Sequence, residues 1–266
     1  MGADIKSLRT RIRSVSSTLQ LTRAMGLVAS SKIRKATERM LHGRDYDAAL
    51  EQLLAVLTAD PGCGRSPYMQ QREGKTLLIV IAGDRGLAGG YNANIFRTIK
   101  EYPDADIIPI GKRACDRYGD HTVSSEHFDT AEAYAMATAL CRDFAEGKYA
   151  RVGVLYTRYV SMMSQEPTIR WILPLTRAEN AAPAALLFEP DEQTILQTAV
   201  PEYVTGAIMA AVRESYASEV VARRMAMDAA GKNAGEMIAD LQLQYNRARQ
   251  GSITQEITEI VAGANA

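Results

Sequence analysis

Cysteine, histidine and tryptophan are scarce in this chain, which has three Cys, three His and one Trp in 266 residues. Cys63, Cys115 and Cys141 are odd in number, far apart and without a CxxC. That excludes a disulfide framework and a cysteine zinc site, and points to a reducing compartment. His42, His121 and His127 are not spaced to pair with one another or with cysteines, so no metal centre is expected. No nucleophile stands beside a base, and neither a catalytic residue nor a cofactor is expected. No apolar run approaches the roughly 18 residues that span a bilayer, and no signal-peptide core follows Met1. The Arg- and Ser-rich start imitates a mitochondrial transit peptide, but its helical pattern runs on past any cleavage point. Net charge is also missing: 31 basic residues balance 31 acidic ones.

Proline, too, is absent after Pro201, and what stands there instead reads as one helix to Ala262. At about 1.5 Å per residue it spans roughly 90 Å, more than a domain of this size needs to cover itself, so its end is expected to project. Val220, Met227, Ala234, Ile238, Leu241, Tyr245 and Ala248 recur at heptad spacing, with Arg224 and Gly231 filling the gaps. Ala226, Ala229, Ala230, Gly231, Ala234 and Gly235 make a small-sided stretch that a partner helix can approach closely. Mid-helix glycine costs about 1 kcal/mol relative to alanine, so close packing or a local bend is expected there, against the alternative of exposed helix without a role. Beyond this seam Ile253, Ile257, Ile260 and Val261 form an apolar stripe that predicts a partner.

The charge balance hides an asymmetry, because residues 1–44 carry ten Lys and Arg against only Asp4 and Glu38. Ile5, Leu8, Ile12, Val15 and Leu19, then Met25, Val28, Ile33, Ala36 and Met40 after a phase shift near Leu21, predict a second long helix from Asp4 to about Leu57. Its narrow seam matches that of the last helix, and the two are expected to pair antiparallel. The basic face reads either as a solvated surface or as a footprint for acidic partners. Nucleic acid is not expected, since no aromatic interleaves with the charge before Tyr46.

Between the helices lies an alternating strand and helix pattern that predicts a Rossmann-like α/β domain. Expected strands are Thr76–Ala82, Ile107–Ile110, Arg151–Tyr159 and Thr168–Leu173, the last two forming a hairpin through Ser161–Pro167. Expected helices are Tyr91–Tyr102, Lys112–Tyr118 and Phe128–Gly147. Asp60–Lys75 reads as a linker, Ala178–Ala185 as a loop, and Met162 and Met163 as packing residues. The turn Gly83-Asp-Arg-Gly-Leu-Ala-Gly-Gly90 is neither GxxxxGK[ST] nor GxGxxG, so a structural turn is favoured over a phosphate loop. The fold class expected is α/β: a long antiparallel coiled coil of the terminal helices, with a Rossmann-like domain inserted. Its divisions are a coiled-coil helix over 1–58, a linker over 59–75, the α/β domain over 76–175, a connector over 176–200 and a second coiled-coil helix over 201–266.

Several stretches resemble the gamma subunit of F-type ATP synthases. Ile253-Thr-Gln-Glu-Ile-Thr-Glu-Ile-Val-Ala-Gly-Ala264 fits that family's C-terminal signature. Tyr245-Asn-Arg-Ala-Arg-Gln250, Ala24-Met-Gly-Leu-Val-Ala-Ser-Ser-Lys32 and Asp84-Arg-Gly-Leu87 with Gly89-Gly90 join it. The resemblance implies a non-catalytic rotor shaft that couples ion-driven rotation of a ring of c subunits to ATP synthesis or hydrolysis. Catalysis would lie on beta subunits, within a ring of three alpha and three beta chains. The epsilon subunit is a further implied partner. By position, Arg249, Gln250 and Thr254, with Glu256 beside them, and Met25 on the first helix, are implied as contacts with that ring. Ile253, Ile257, Ile260 and Val261 would sit in a hydrophobic bearing, and Tyr203 near the c ring. The implied setting is the cytoplasmic side of a bacterial inner membrane, held there peripherally. The residues taken alone leave two other readings open, a static coiled-coil adaptor and a Rossmann-type nucleotide-binding enzyme.

Overall fold

The structure, a computed structural model, describes residues 2–119, 121–177, 189 and 191–264. The expected loop Ala178–Ala185 lies outside the described residues. Two helices dominate, α1 (Gly2–Ala59) and α5 (Glu192–Ala264). Between them come β1 (Thr76–Ile81), α2 (Tyr91–Thr98), β2 (Asp106–Ile110), α3 (Lys112–Tyr118), α4 (Thr130–Ala145), β3 (Arg151–Tyr159) and β4 (Gln165–Leu173). The chain divides into two compact units, one of residues 31–222 and one of residues 1–30 with 223–266.

In the larger unit the sheet order is β2-β1-β3-β4. β1 pairs parallel with β2 and β3, and β4 returns antiparallel on β3, as a short hairpin requires. Both faces are covered, which is why β1 reads as an unbroken apolar run rather than an alternation. Leu77, Ile79 and Ile81 face one core with Val154, Phe144, Leu54, Leu196 and Ile208. Leu78 and Val80 face the other, with Leu155, Ile95, Ile99 and Ala114. Each of the larger of these side chains, Val, Leu, Ile or Phe, contributes about 1.5–3 kcal/mol when fully buried. α4 starts on a reciprocal capping box, Asp129 accepting from the Glu132 amide while Glu132 accepts from the Asp129 amide. The stretch expected as a linker contains two 3-10 turns, Pro61–Arg65 and Pro67–Met69, that bury Cys63 and Tyr68.

Here α1 and α5 pack antiparallel: Ala36 and Met40 meet Ala217, Gly43 meets Arg213, and Gly206 meets Leu50. Ser218 Oγ donates to the Thr157 carbonyl of β3 (3.1 Å), and Ser215 Oγ accepts from the Thr157 amide (3.4 Å), so buried hydroxyls of α5 are satisfied by the sheet layer, while the Tyr91 hydroxyl of α2 donates to the Ser215 carbonyl (3.0 Å). In the smaller unit Gly26 faces Met227, and Gly231 faces Leu19 and Thr22, again in reversed order. The heptad on α5 is as expected: Met227, Ala234 and Leu241 are buried, Ile238, Tyr245 and Ala248 half-buried, and most of the residues between them exposed.

Four expectations are corrected. α5 begins at Glu192 rather than Pro201, because Asp191 caps it by accepting from the Gln193 and Thr194 amides. Leu196 and Val200 are fully buried and hold that first stretch helical through the proline. Asp4 lies inside the first turn of α1 instead of capping it. Val28 is 56% exposed, and Ala29 takes the seam in its place. Met162 and Met163 are exposed at the β3–β4 hairpin and do not pack. By composition and length α5 carries a window apolar enough to cross a membrane, but 61% of that window is buried inside the protein, as in a core helix.

Candidate functional site

The residues expected to meet partners fall mainly on the last turns of α5. Arg249, Gln250, Thr254 and Glu256 are exposed, Ser252 Oγ donating to Glu256 Oε1 (3.4 Å) and Thr258 Oγ1 to the Thr254 carbonyl (2.8 Å). Ile257 is 56% and Ile260 71% exposed, with Ile253 and Val261 close behind. Uncovered aliphatic side chains at helical spacing make a stripe that no other described residue shields. Met25 on α1 is half-buried. Leu21, Leu27 and Val28 on α1 and Leu243 on α5 add exposed apolar surface to the same unit. Leu27 and Leu243 carry no signal in the sequence, Leu21 marks the phase shift of the apolar pattern, and Val28 belongs to the seam expected there.

Tyr203 stands apart from this group. It is 9% exposed and belongs to the main core of the larger unit, its ring 5.9 Å from the Arg170 guanidinium. Burial pushes its phenol up, against the pull of Arg170. The side chain packs at the start of α5's buried stretch rather than presenting itself to a partner.

Three polar clusters bind the sheet layer to the helices, and only the third, the glycine-rich turn, has a signal in the sequence. Arg170 of β4 donates to both carboxylate oxygens of Asp47 (2.8 and 3.2 Å) and to Glu51 Oε1 (2.7 Å), reaching α1 from the sheet. Burial opposes its charge, but hydrogen bonding to Asp47 outweighs this and raises its pKa further. Glu126 accepts from Lys32 Nζ on α1 (2.6 Å) and the Tyr216 hydroxyl on α5 (3.0 Å), with Arg85 at 3.9 Å. Burial would push the Glu126 carboxyl up, yet these donors and cations hold it below the usual value. Asp47 and Glu51, four apart on α1, carry no sequence signal of a partner so far along the chain.

The third cluster is the glycine-rich turn. Asp84 Oδ1 accepts from the amides of Lys112 (3.0 Å) and Ser125 (2.9 Å), and Oδ2 from Ser124 Oγ (2.6 Å) and the Glu126 amide (3.1 Å). Burial alone would raise its pKa, but one hydroxyl and three amides keep it lowered. Gly83 lies against the buried carboxylate of Glu219, where a Cβ would come within 2.6 Å. Gly111, at φ 93, would place a Cβ 1.8 Å from the Ala82 carbonyl oxygen. The glycines and Asp84 thus shape a turn that fastens β1, α3 and the loop before α4. No cluster of His, Cys, Asp or Glu that could hold a metal occurs among the described residues.

The chain matches the family described as ATP synthase over residues 4–266. It is 38% identical to the ATP synthase gamma chain of Ruminococcus albus, covering 97% of this chain and 96% of that one. It is 35% identical to the sodium-ion-specific ATP synthase gamma chain of Acetobacterium woodii, covering 100% and 99%, and 37% identical to the gamma chain of Xanthomonas campestris, covering 98% of each. Among solved structures it is similar to a chain in the cryo-EM structure of the Euglena gracilis mitochondrial ATP synthase (OSCP, F1 and c-ring), with TM-score 0.70, 21% identity, and 100% and 95% of the two chains covered. A chain of the Tetrahymena thermophila central stalk and c-ring gives TM-score 0.63 at 21% identity, covering 79% of this chain and 99% of that one. The two-helix architecture with its inserted sheet is therefore a shared fold, and at this identity over its full length the chain belongs to the ATP synthase gamma chain family.

Proposed function

We propose that this chain is the central-stalk rotor of an F-type ATP synthase, transmitting rotation of a c ring to catalytic sites on surrounding beta subunits. The observation that carries the reading is the stripe Ile253, Ile257, Ile260 and Val261, exposed at the end of a helix that stays regular to Ala264. Leaving such a surface in water is unfavourable, and a hydrophobic sleeve formed by three alpha and three beta subunits would cover it. Arg249, Gln250 and Thr254 stand beside the stripe, where Arg anchors and polar side chains would engage the ring, with Glu256 and Met25 as further contacts.

The division of labour puts the long helices α1 and α5 as the shaft, and the α/β domain over 76–175, with the linker before it, as the foot toward the c ring and the epsilon subunit. Tyr203, being buried, would support that foot from within. The chain itself is non-catalytic, and its place is peripheral, on the cytoplasmic face of a bacterial inner membrane. The nucleotide-binding alternative loses ground because the amides around the glycine-rich turn are already bonded to Asp84.

Reconstitution tests the shaft reading. Gln250→Cys, cross-linked to an engineered cysteine on a beta subunit, should abolish ATP turnover by the complex, and reduction should restore it. Turnover that persists under complete cross-linking would overturn rotation and leave the static adaptor. Reversing Arg9, Arg11 and Arg13 to Glu should lower ATP-driven ion pumping if the basic face of α1 meets acidic ring loops.

A further inference from the structure

A cleft in the larger unit, of about 420 Å³, has no part in the surfaces described so far. It opens between the second half of α1 and the first third of α5, beside the loop that Asp84 fastens. Ala36, Phe128, Met209 and Val212 line it and are all buried. Arg39, His42 and Arg213 also line it, and among the described residues no carboxylate lies within ion-pair distance of either arginine. The one carboxylate in the wall, Glu126, is committed to Lys32 and Tyr216.

Two further features mark this as a shaped site rather than a gap. Gly43 makes room for Arg213: a Cβ there would lie 2.9 Å from its Nη1. Ser125, 5% exposed, lines the cleft, and its buried Oγ lacks a hydrogen-bond partner among the described residues. A buried hydroxyl without a partner is costly and rare, and this one belongs to a residue of the cleft wall.

We infer that this cleft binds a small organic anion, its phosphate, sulfonate or carboxylate group held between Arg39 and Arg213. Its apolar or aromatic body rests on Phe128, Met209 and Val212. Guanidinium forks match oxyanions in geometry, and unpaired ones beside an apolar floor select a ligand that is charged at one end only. The volume falls in the range of about 300–1,000 Å³ usual for small-molecule sites. An acidic protein segment would use the same charges but has less use for the apolar floor of Phe128, Met209 and Val212. Because the site joins α1, α5 and the loop before α4, occupancy would tie these three elements together.

The test uses the full chain and the aromatic sulfonate 8-anilinonaphthalene-1-sulfonate, titrated by fluorescence, with inorganic pyrophosphate as competitor. The dye also binds exposed aliphatic surface, so the measurements are made on an Ile257→Ser, Ile260→Ser background. Arg39→Glu and Arg213→Glu should each weaken binding by about tenfold or more, Arg39→Lys should weaken it less because the charge remains while the fork is lost, and pyrophosphate should displace the dye. Arg39 is exposed, so Arg39→Glu remains informative should Arg213→Glu fail to fold. Affinity unchanged by Arg39→Glu, or dye that pyrophosphate does not displace, overturns the site. Capture of a poly-glutamate peptide with no dye binding overturns the small-molecule reading in favour of a protein segment.

Discussion

Removing the guanidinium of Arg170 tests how firmly the sheet is fastened to the first helix. Arg170→Met keeps the stem volume but leaves Asp47, only 17% exposed, facing no cation. Breaking a fully buried pair from one side costs about 3–5 kcal/mol. Arg170 is itself 20% exposed, so water enters and a cost of about 2–3 kcal/mol is expected. For a chain of this size that is a fall in melting temperature of about 5–10 °C. Glu51, 56% exposed, should matter far less, Glu51→Gln costing under about 1 kcal/mol. The assay is urea unfolding followed by fluorescence of Trp171, the only tryptophan, which lies next to Arg170 on β4 and so reports on the larger unit. Adding Asp47→Asn to Arg170→Met should recover part of the loss, because the stranded charge is then gone. Hydrogen bonding to Asp47 outweighs burial and raises the guanidinium pKa, so it stays charged throughout the usable range and the effect should be flat across neutral pH. An Arg170→Met midpoint equal to wild type, or a double variant less stable than the sum of the singles, refutes the argument.

Asp84→Asn should destabilise by about 2–4 kcal/mol at neutral pH, since an amide nitrogen must face either the Glu126 or the Ser125 amide, donor against donor. The lowered carboxyl contributes stability that is complete above its ordinary value of 3.8 and is lost as pH falls through the lower folded value; the gap between variant and wild type should close only on that acid side. Gly111→Ala should prevent recovery of folded protein, as the added carbon would overlap the Ala82 carbonyl at a backbone angle alanine resists. Gly251→Ala meets nothing within 4 Å and should stabilise α5 by up to about 1 kcal/mol, measured by helix melting in circular dichroism. Cys141, buried with its thiol pushed up to about 12, should resist a disulfide reagent at mildly alkaline pH until the chain is denatured.

Periodicity made most of the architecture legible. Val220, Met227, Ala234 and Leu241 are buried as their heptad spacing requires, and α3 and β3 begin and end where expected. The first helix was harder because its contact face uses Thr22, Gly26 and Ala29, residues that permit close approach yet carry little hydropathy, while Leu27 and Val28 point outward. The start of α5 was misjudged because Pro201 outweighed a readable cap, Asp191 followed by Thr194. The tip was legible, since aliphatic residues at helical spacing form a stripe whatever covers them. The polar clusters were not, because the partners of Arg170 and Glu126 lie on α1 and, for Glu126, on α5 as well, and only tertiary structure brings them together.

A layered sheet of this kind often holds an acidic guest at the loops following its strands, and here the guest is part of the host. Asp84 occupies the position from which an incoming oxyanion would recruit the amides of Lys112, Ser125 and Glu126. With that vacancy filled from inside, what could have been a docking berth becomes a rivet, and the layer is left free to serve as solid material between two helices.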